Sequence, residues 1–344
     1  MSGQSAFHSI IPPVDTGVSR PLWSVMIPTY NCAAYLRQTL ESVLVQDPGP
    51  ERMQIEVVDD CSTLDDPEAV VREVGAGRVA FFRQRQNVGH TANFTTCLQR
   101  ARGELVHLLH GDDRVRPGFY ATMEPPFLHH PEIGAAFCRA VFMDPDGTPQ
   151  VLGSLEQPES GVLVDWLQRL ASGQRIATPS VVVRRSVYER LGGFDRRLSC
   201  TEDWEMWVRI AAHYPVWYEP EALAEYRVKR AGSITGGARG TPELIRDLRR
   251  SIEVIRSYLS EHLPAPVARQ ALRRARTEYA HWALNDAEEL LAQRRLRAAM
   301  MHVAEALRCS RSPGVARRAA GILLRAGKRW LSVRRGDELP LHGA

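Results

Sequence analysis

From Leu22 to Leu109 the chain alternates short apolar runs with amphipathic stretches of helical period. Leu22–Ile27, Gln54–Val58, Val79–Phe82 and Glu104–Leu109 have strand length and strand composition. Between them, Ala33–Gln46, Asp66–Val74 and His90–Arg102 repeat apolar residues at helical spacing. This alternation predicts βαβ units and a mostly parallel sheet. Further on, Ile133–Met143 reads as a strand, Asp144-Pro145-Asp146-Gly147 as a hairpin turn and Pro179–Arg184 as another short strand. Thr201–His213 reads as a helix with Thr201 at its N-cap. Tyr226–Gly240 has the glycines and charges of a mobile loop. From Thr241 the pattern turns to Arg, Ala, Leu and Glu with helical period, divided by Pro264, Pro266 and Ser310–Gly314 into about four helices. The expected layout is a flexible N-terminus (1–20), an α/β domain (21–238), a helical C-terminal region (239–335) and a tail (336–344).

In open α/β sheets, ligands bind beyond the carboxyl ends of the strands, and the polar clusters of this chain fall there. Pro28-Thr29-Tyr30-Asn31 follows the first predicted strand, Asp59-Asp60-Cys61-Ser62 the second and His110-Gly111-Asp112-Asp113 the fourth. Adjacent carboxylates at the end of a buried strand repel each other and call for a counter-charge. A hard divalent cation supplies one and keeps coordination positions for substrate phosphates. The competing reading is a strand-to-helix turn, with Asp capping and Pro117 opening the next helix. Turn chemistry alone does not account for all of these clusters on one rim.

Composition narrows the classes. A 44% hydrophobic fraction over 344 residues is ample for a core and argues against global disorder. The six cysteines are scattered without CxxC spacing, so neither a zinc site nor a disulfide framework is expected, and a reducing, cytoplasmic setting fits. The first residues lack the apolar centre of a signal peptide, and no apolar stretch reaches membrane-spanning length. The net charge of +4 is uneven: from Arg239 onward there are 21 basic and 11 acidic residues, against 23 and 29 before it. Ala316–Arg335 is basic without an acidic residue; Arg318, Arg325 and Arg329 share one helical arc, and Ile322, Leu323, Ala326, Trp330 and Val333 another. That pattern predicts an amphipathic helix making peripheral contact with an anionic membrane face, the alternative being a helix docked on the α/β domain. The tail lacks interleaved aromatics, so a nucleic-acid partner is not expected.

Taken in order, Ile27-Pro28-Thr29-Tyr30-Asn31, Val57-Val58-Asp59-Asp60-Cys61-Ser62, Asn87-Val88-Gly89, His110-Gly111-Asp112-Asp113, Pro179–Arg185, Leu191-Gly192-Gly193-Phe194-Asp195, Thr201-Glu202-Asp203-Trp204-Glu205 and Tyr226-Arg227 make the chain resemble the inverting family 2 glycosyltransferases of GT-A fold. The resemblance covers about Leu22 to Ser233. It implies a sugar-nucleotide donor, expected to be a UDP-sugar, a glycan or lipid-linked acceptor, and Mg²⁺ or Mn²⁺.

The resemblance also implies roles. Pro28, Thr29, Tyr30 and Asn31 would line the donor site, with Tyr30 packed on the base. Asp60 would accept the imide N–H of uracil, while Asp59 shapes the turn. Asn87 and Gly89 resemble a donor-pocket turn, simple turn chemistry being the alternative. Asp112 would face the ribose or share the metal, and Asp113 would hold it. Many members of the family carry a third Asp where this chain has His110; imidazole binds Mg²⁺ poorly, so His110 is expected as a hydrogen-bonding neighbour. Asp203 would be the general base, against plain capping of a helix N-terminus. Trp204 and Trp207 would be acceptor wall or core. Arg227, with Lys229 or Arg230, would face the diphosphate. The non-enzymatic alternative is a degenerate nucleotide- or carbohydrate-binding module of the same fold.

Overall fold

The computed structural model describes residues 7–15, 17, 19–228 and 241–335, with 328–335 described by backbone alone. They form two compact units. One holds the described residues up to Leu170 and from Gln174 to Val228; the other holds Ala171–Gly173 and the C-terminal helices.

The first unit opens with β1 (Trp23–Thr29), α1 (Ala33–Leu44), β2 (Met53–Asp59), α2 (Pro67–Gly75), β3 (Ala80–Arg83), α3 (His90–Arg100) and β4 (Leu105–Leu108). It continues through β5 (Arg114–Val115), α4 (Phe119–His129), β6 (Ala135–Met143), β7 (Pro149–Leu152), β8 (Gly161–Val162) and α5 (Trp166–Ala171). A 3₁₀ turn (Thr178–Ser180) leads into β9 (Val181–Arg184), α6 (Arg185–Leu191), α7 (Glu202–His213) and β10 (Val216–Arg227). The sheet order is β3-β2-β1-β4-β9-β6-β10-β5, with β7 on β6 and β8 on β10.

The expected parallel pairing runs through β3, β2, β1 and β4 and returns between β6 and β10. Between them β9 runs antiparallel to both β4 and β6, which makes the sheet mixed. β9 pairs His107 with Val182 and Leu105 with Arg184, so it starts at the rim where β4 ends. The 3₁₀ turn before it is thereby delivered to the same rim.

Every residue of β1 is buried, as expected for a central strand covered on both faces. Trp23, Val25 and Ile27 alternate onto one face and join Leu36, Leu40 and Val43 of α1 and Phe119, Met123 and Phe127 of α4 in one core. Burying each such side chain contributes roughly 1.5–3 kcal/mol. The other face carries Ser24, whose Oγ donates to Gln54 Oε1 at 2.7 Å and accepts the amides of Arg102 and Gly103.

Several expectations are corrected. Residues Phe7–Pro12 are not a loose terminus: Ile11 is buried, the Gly193 amide donates to Ser9 O, and Arg185 Nη2 donates to Pro12 O. Pro117 lies before the helix, which starts at Phe119 behind a left-handed Gly118. Tyr226 and Arg227 end a strand rather than open a loop, and the Val228 amide donates to Met143 O. Residues 229–240, with Lys229 and Arg230, lie outside the described residues.

The second unit holds α8 (Glu243–His262), α9 (Ala265–Ala292), α10 (Leu296–Cys309) and α11 (Pro313–Arg335). The Glu305 carboxylate is buried and receives Arg246, Arg249 and Arg308. The α11 residues Val315, Ala319, Ile322 and Ala326 are buried, and α11 packs on α9 and α10. Ile322 and Ala326, read from sequence as part of a membrane-facing arc, therefore face the bundle. Arg318 and Arg325 both pair with Glu288 of α9. Of the described side chains of that arc, Ile322 and Ala326 are covered within the helical unit, whereas Leu323 is 45% exposed. No described helix is long and apolar enough to cross a membrane.

Candidate active site

The carboxyl rim of β1, β2 and β4 is knitted together by short-range hydrogen bonds. Asn31 adopts a positive φ of 48°, and its Oδ1 accepts the amides of Thr63 and Leu64 at 2.9 and 3.0 Å. Its own amide donates to Ser62 Oγ. Asp59 is buried and accepts the amide and hydroxyl of Ser62, which is the turn-shaping role expected for it. Asp60 is buried too. Its Oδ1 accepts the Val88 amide at 2.7 Å and its Oδ2 the Gly89 amide at 3.0 Å. Burial raises its pKa, against the pull of those two amides. Asn87 is exposed and its Nδ2 donates to Asp60 O at 3.3 Å. The Tyr30 side chain stands 42% exposed, with its ring available to a planar ligand. Pro28 O accepts the Gly111 amide, and Thr29 Oγ1 contacts Cys32 Sγ at 2.8 Å.

Glycine at 111 lets the loop after β4 lie against this rim. A Cβ there would sit 3.0 Å from Thr29 Oγ1 and 3.2 Å from Cys32 Sγ. His110 stacks on Phe94 of α3 with ring centroids 5.1 Å apart and planes at 14°. Asp113 is fully buried. Its Oδ1 accepts the Arg227 amide at 2.8 Å; its Oδ2 lies 3.4 Å from His110 Nδ1 and accepts no hydrogen bond from a described residue. Burial pushes the Asp113 carboxyl above the ordinary range, opposed by His110. One ligand atom from each of His110, Asp112 and Asp113 falls within a sphere of contacts no wider than 4.8 Å. A small divalent cation with ligands at about 2.1 Å needs neighbouring ligand atoms roughly 3 Å apart, so an oxygen-rich cluster with an acceptor-less buried carboxylate oxygen fits it.

Arg227 corrects an expectation. It is buried at the end of β10, and its guanidinium turns inward. Nε donates to Asp112 O at 2.8 Å, Nη1 to Pro145 O at 2.7 Å and Nη2 to Gln38 Oε1 at 3.0 Å, while the plane lies over the Tyr35 ring. Nε, Nη1 and Nη2 each donate to a protein acceptor, so the side chain braces the Asp112–Asp113 turn against Pro145 and Gln38.

Asp203 sits in the first turn of α7. Its Oδ1 accepts the Trp204 amide at 2.6 Å, and its Oδ2 accepts Gln174 Nε2 at 2.9 Å and Thr178 Oγ1 at 3.2 Å. Burial and the neighbouring charge of Glu202 raise its pKa to about 7, opposed by the Trp204 amide, His110 and Thr178. His110 and Asp203 thus feel each other's charge, which joins the acidic cluster and the α7 carboxylate in one site. Thr201 occupies the N-cap without a side-chain cap bond. Trp204 and Trp207 are both buried, and Trp204 Nε1 donates to Leu170 O, so both belong to the core.

Sequence reasoning missed Gln174, Thr178 and His90. His90 Nε2 pairs with Glu202 Oε1 at 3.0 Å. Burial lowers the His90 pKa, but the hydrogen bond and charge of Glu202 outweigh it and the net shift is upward. A histidine in the first turn of a helix faces the positive end of the dipole, and that misfit was the available signal of a carboxylate partner. Gln174 and Thr178 carried no local signal.

A carboxylate pair at a strand-end loop, Asp113 buried and Asp112 partly exposed, beside a carboxylate with a pKa near neutrality, on a mixed α/β sheet, fits a group-transfer enzyme. Residues 24–192 match the model of glycosyl transferase family 2, and the chain belongs to that family. Uncharacterized protein MT1568 of Mycobacterium tuberculosis is 32% identical over 235 residues, which are 64% of this chain and 72% of that protein. The structure of S. aureus TarS 1–349 in complex with UDP-GlcNAc superposes with a TM-score of 0.61 at 18% identity, over 91% of this chain and 92% of that one. The mannosyltransferase PcManGT of Pyrobaculum calidifontis, solved with GDP-Man and Mn²⁺, gives 0.55 at 20% identity over 95% and 84%. The fold is GT-A-like, and the chain is a glycosyltransferase.

Proposed function

We propose that the enzyme is inverting and moves a hexose from a UDP-sugar to a hydroxyl of a glycan or lipid-linked acceptor. The observation that carries this reading is Asp203: a carboxylate with a pKa of about 7, oriented by Gln174 and Thr178 and within electrostatic reach of His110, which neighbours Asp112 and Asp113. A base with a pKa near the working pH is what deprotonation of an acceptor hydroxyl requires. Asp203 takes that proton as the oxygen attacks the anomeric carbon, and an α-linked donor yields a β-linkage. Tyr30 stacks on the base. A carboxylate has about four acceptor positions, so Asp60 keeps room for a uracil imide N–H beside its two amides. Pro28, Thr29, Asn31 and Asn87 shape this pocket, and Asn31 acts through the loop it braces. Asp112 and Asp113 would hold Mg²⁺ or Mn²⁺, which supplies Lewis-acid stabilisation of the departing diphosphate. The sugar nucleotides named with TarS and PcManGT support a nucleotide-sugar donor. Six free cysteines support a reducing, cytoplasmic setting.

The test is turnover of a sugar-nucleotide panel, scored by nucleoside diphosphate release, with Asp203→Asn beside the wild type. Turnover should fall by on the order of 10²–10⁴ while UDP binding is retained. Wild-type turnover in the variant would remove Asp203 as base. UDP binding without any turnover across donors and acceptors would favour the binding-module reading.

A further inference from the structure

We propose that His110 is itself a ligand of the divalent cation, through Nδ1, and that it biases the site toward Mn²⁺ over Mg²⁺. This rests on the metal-assisted reading above and goes beyond the carboxylate pair.

The ring is held in place: Phe94 stacks on it at 5.1 Å, and Phe94 is itself packed against Phe194. So held, Nδ1 points at the Asp113 carboxylate, 3.4 Å from Oδ2. That oxygen belongs to a fully buried side chain and accepts no hydrogen bond among the described residues. Neighbouring ligands on a cation with bonds of about 2.1 Å are roughly 3 Å apart, so the pair already has near-coordinating spacing. Asp112 completes a set of one nitrogen and two carboxylates within 4.8 Å. His110 Nε2 has no hydrogen-bond partner among the described residues either, so none of them reserves the ring for another task. The expectation that His110 is only a hydrogen-bonding neighbour gives way to this geometry. Mg²⁺ demands hard oxygen ligands and near-ideal octahedral order, whereas first-row transition ions accept imidazole nitrogen readily. An oxygen-only set would not separate the two ions in this way.

The experiment uses the full chain stripped of metal with a chelator, then titrated with Mn²⁺ in the presence of UDP. Free Mn²⁺ is followed by its electron paramagnetic resonance signal, and the bound ion by pulsed measurement of ¹⁴N coupling. The wild type should show a histidine ¹⁴N coupling. His110→Phe, which keeps a ring on Phe94, and His110→Asp should both lose it. Competition with Mg²⁺ should give a Mn²⁺ preference that shrinks by about tenfold in His110→Asp. Bound Mn²⁺ without ¹⁴N coupling in the wild type, or a coupling that survives in His110→Phe, would overturn the assignment while leaving the carboxylate site standing. Absence of Mn²⁺ binding with UDP would overturn this assignment and the metal-assisted reading together. The wild-type spectrum decides the ligand question even if a variant fails to fold.

Discussion

Removing Gln174 isolates one of the forces that set the base. Gln174 Nε2 donates to Asp203 Oδ2 at 2.9 Å and favours the ionised carboxylate. Gln174→Ala should therefore raise the Asp203 pKa from about 7. A hydrogen bond to a charged group is worth roughly 1.5–3 kcal/mol. Water replaces part of it, and one pKa step corresponds to about 1.36 kcal/mol, so a rise of about one step is expected. Thr178 and the Trp204 amide still hold the carboxylate, Glu202 still pushes its pKa up, and His110 still pulls it down. The base is active when deprotonated, so activity is lost on the acid side. With an apparent pKa moving from about 7 to about 8, kcat/KM should drop about eightfold at about pH 6.5 and be nearly unchanged near pH 9. The assay is the pH profile of donor turnover, read as nucleoside diphosphate release. A uniform loss at every pH, with the acid limb in place, would refute the argument and leave Gln174 a purely structural residue. An acid limb that moves downward would refute its sign.

Arg227→Lys keeps the charge but cannot span Asp112 O, Pro145 O and Gln38 Oε1 together; Mn²⁺–UDP affinity by calorimetry should fall about tenfold, and an unchanged affinity would argue against the clamp. Asp195 is buried, and although burial opposes it, the nearby His8 at 3.5 Å and hydrogen bonds from Arg197 hold its carboxyl below the usual range. That stabilisation is present above about pH 4 and lost as pH falls through the folded value. Asp195→Asn should therefore lower stability by about 1–2 kcal/mol at neutral pH, with the gap to wild type closing in acid; denaturant titration at several pH values checks it, and a gap that widens in acid would contradict the sign. Ile322→Asp should cost the helical unit about 3 kcal/mol or more if its side chain faces the bundle; an unchanged melting profile would restore the outward-facing reading.

The strands and helices up to Leu109 were legible because each carries its own period, and their observed limits fall within a few residues of the pattern. β10 was not read from the sequence, where Glu219-Pro220-Glu221 interrupts its strand pattern. The structure absorbs this stretch in register shifts between Glu219 and Ala222 and between Ala222 and Ala224, where a proline leaves no ladder bond unmade. The rim motifs were visible because Asp59, Asp60, Asp112 and Asp113 sit next to strand ends in the chain itself. The partners of Asp203 were not, since Gln174 and Thr178 reach it only through the antiparallel entry of β9. Arg227 was misread because a buried arginine and a phosphate-binding one look alike until the carbonyls around it are placed. For α11, amphipathicity says that a face needs cover, not what covers it: Ile322 and Ala326 are covered within the helical unit, and Leu323 is not.

The inward guanidinium of Arg227 also limits how such an enzyme can diversify. The β6–β7 turn supplies the Asp144 and Pro145 carbonyls to the same arginine that grips the Asp112 carbonyl. Beyond that turn, β7 is exposed along its whole length. Chimeras that exchange residues after Gly147 should leave the Asp112–Asp113 rim intact, whereas an insertion at Pro145 would be felt at Asp113. New acceptor preferences could then be grafted onto the outer strand, with the turn at its base as the boundary that the graft must not cross.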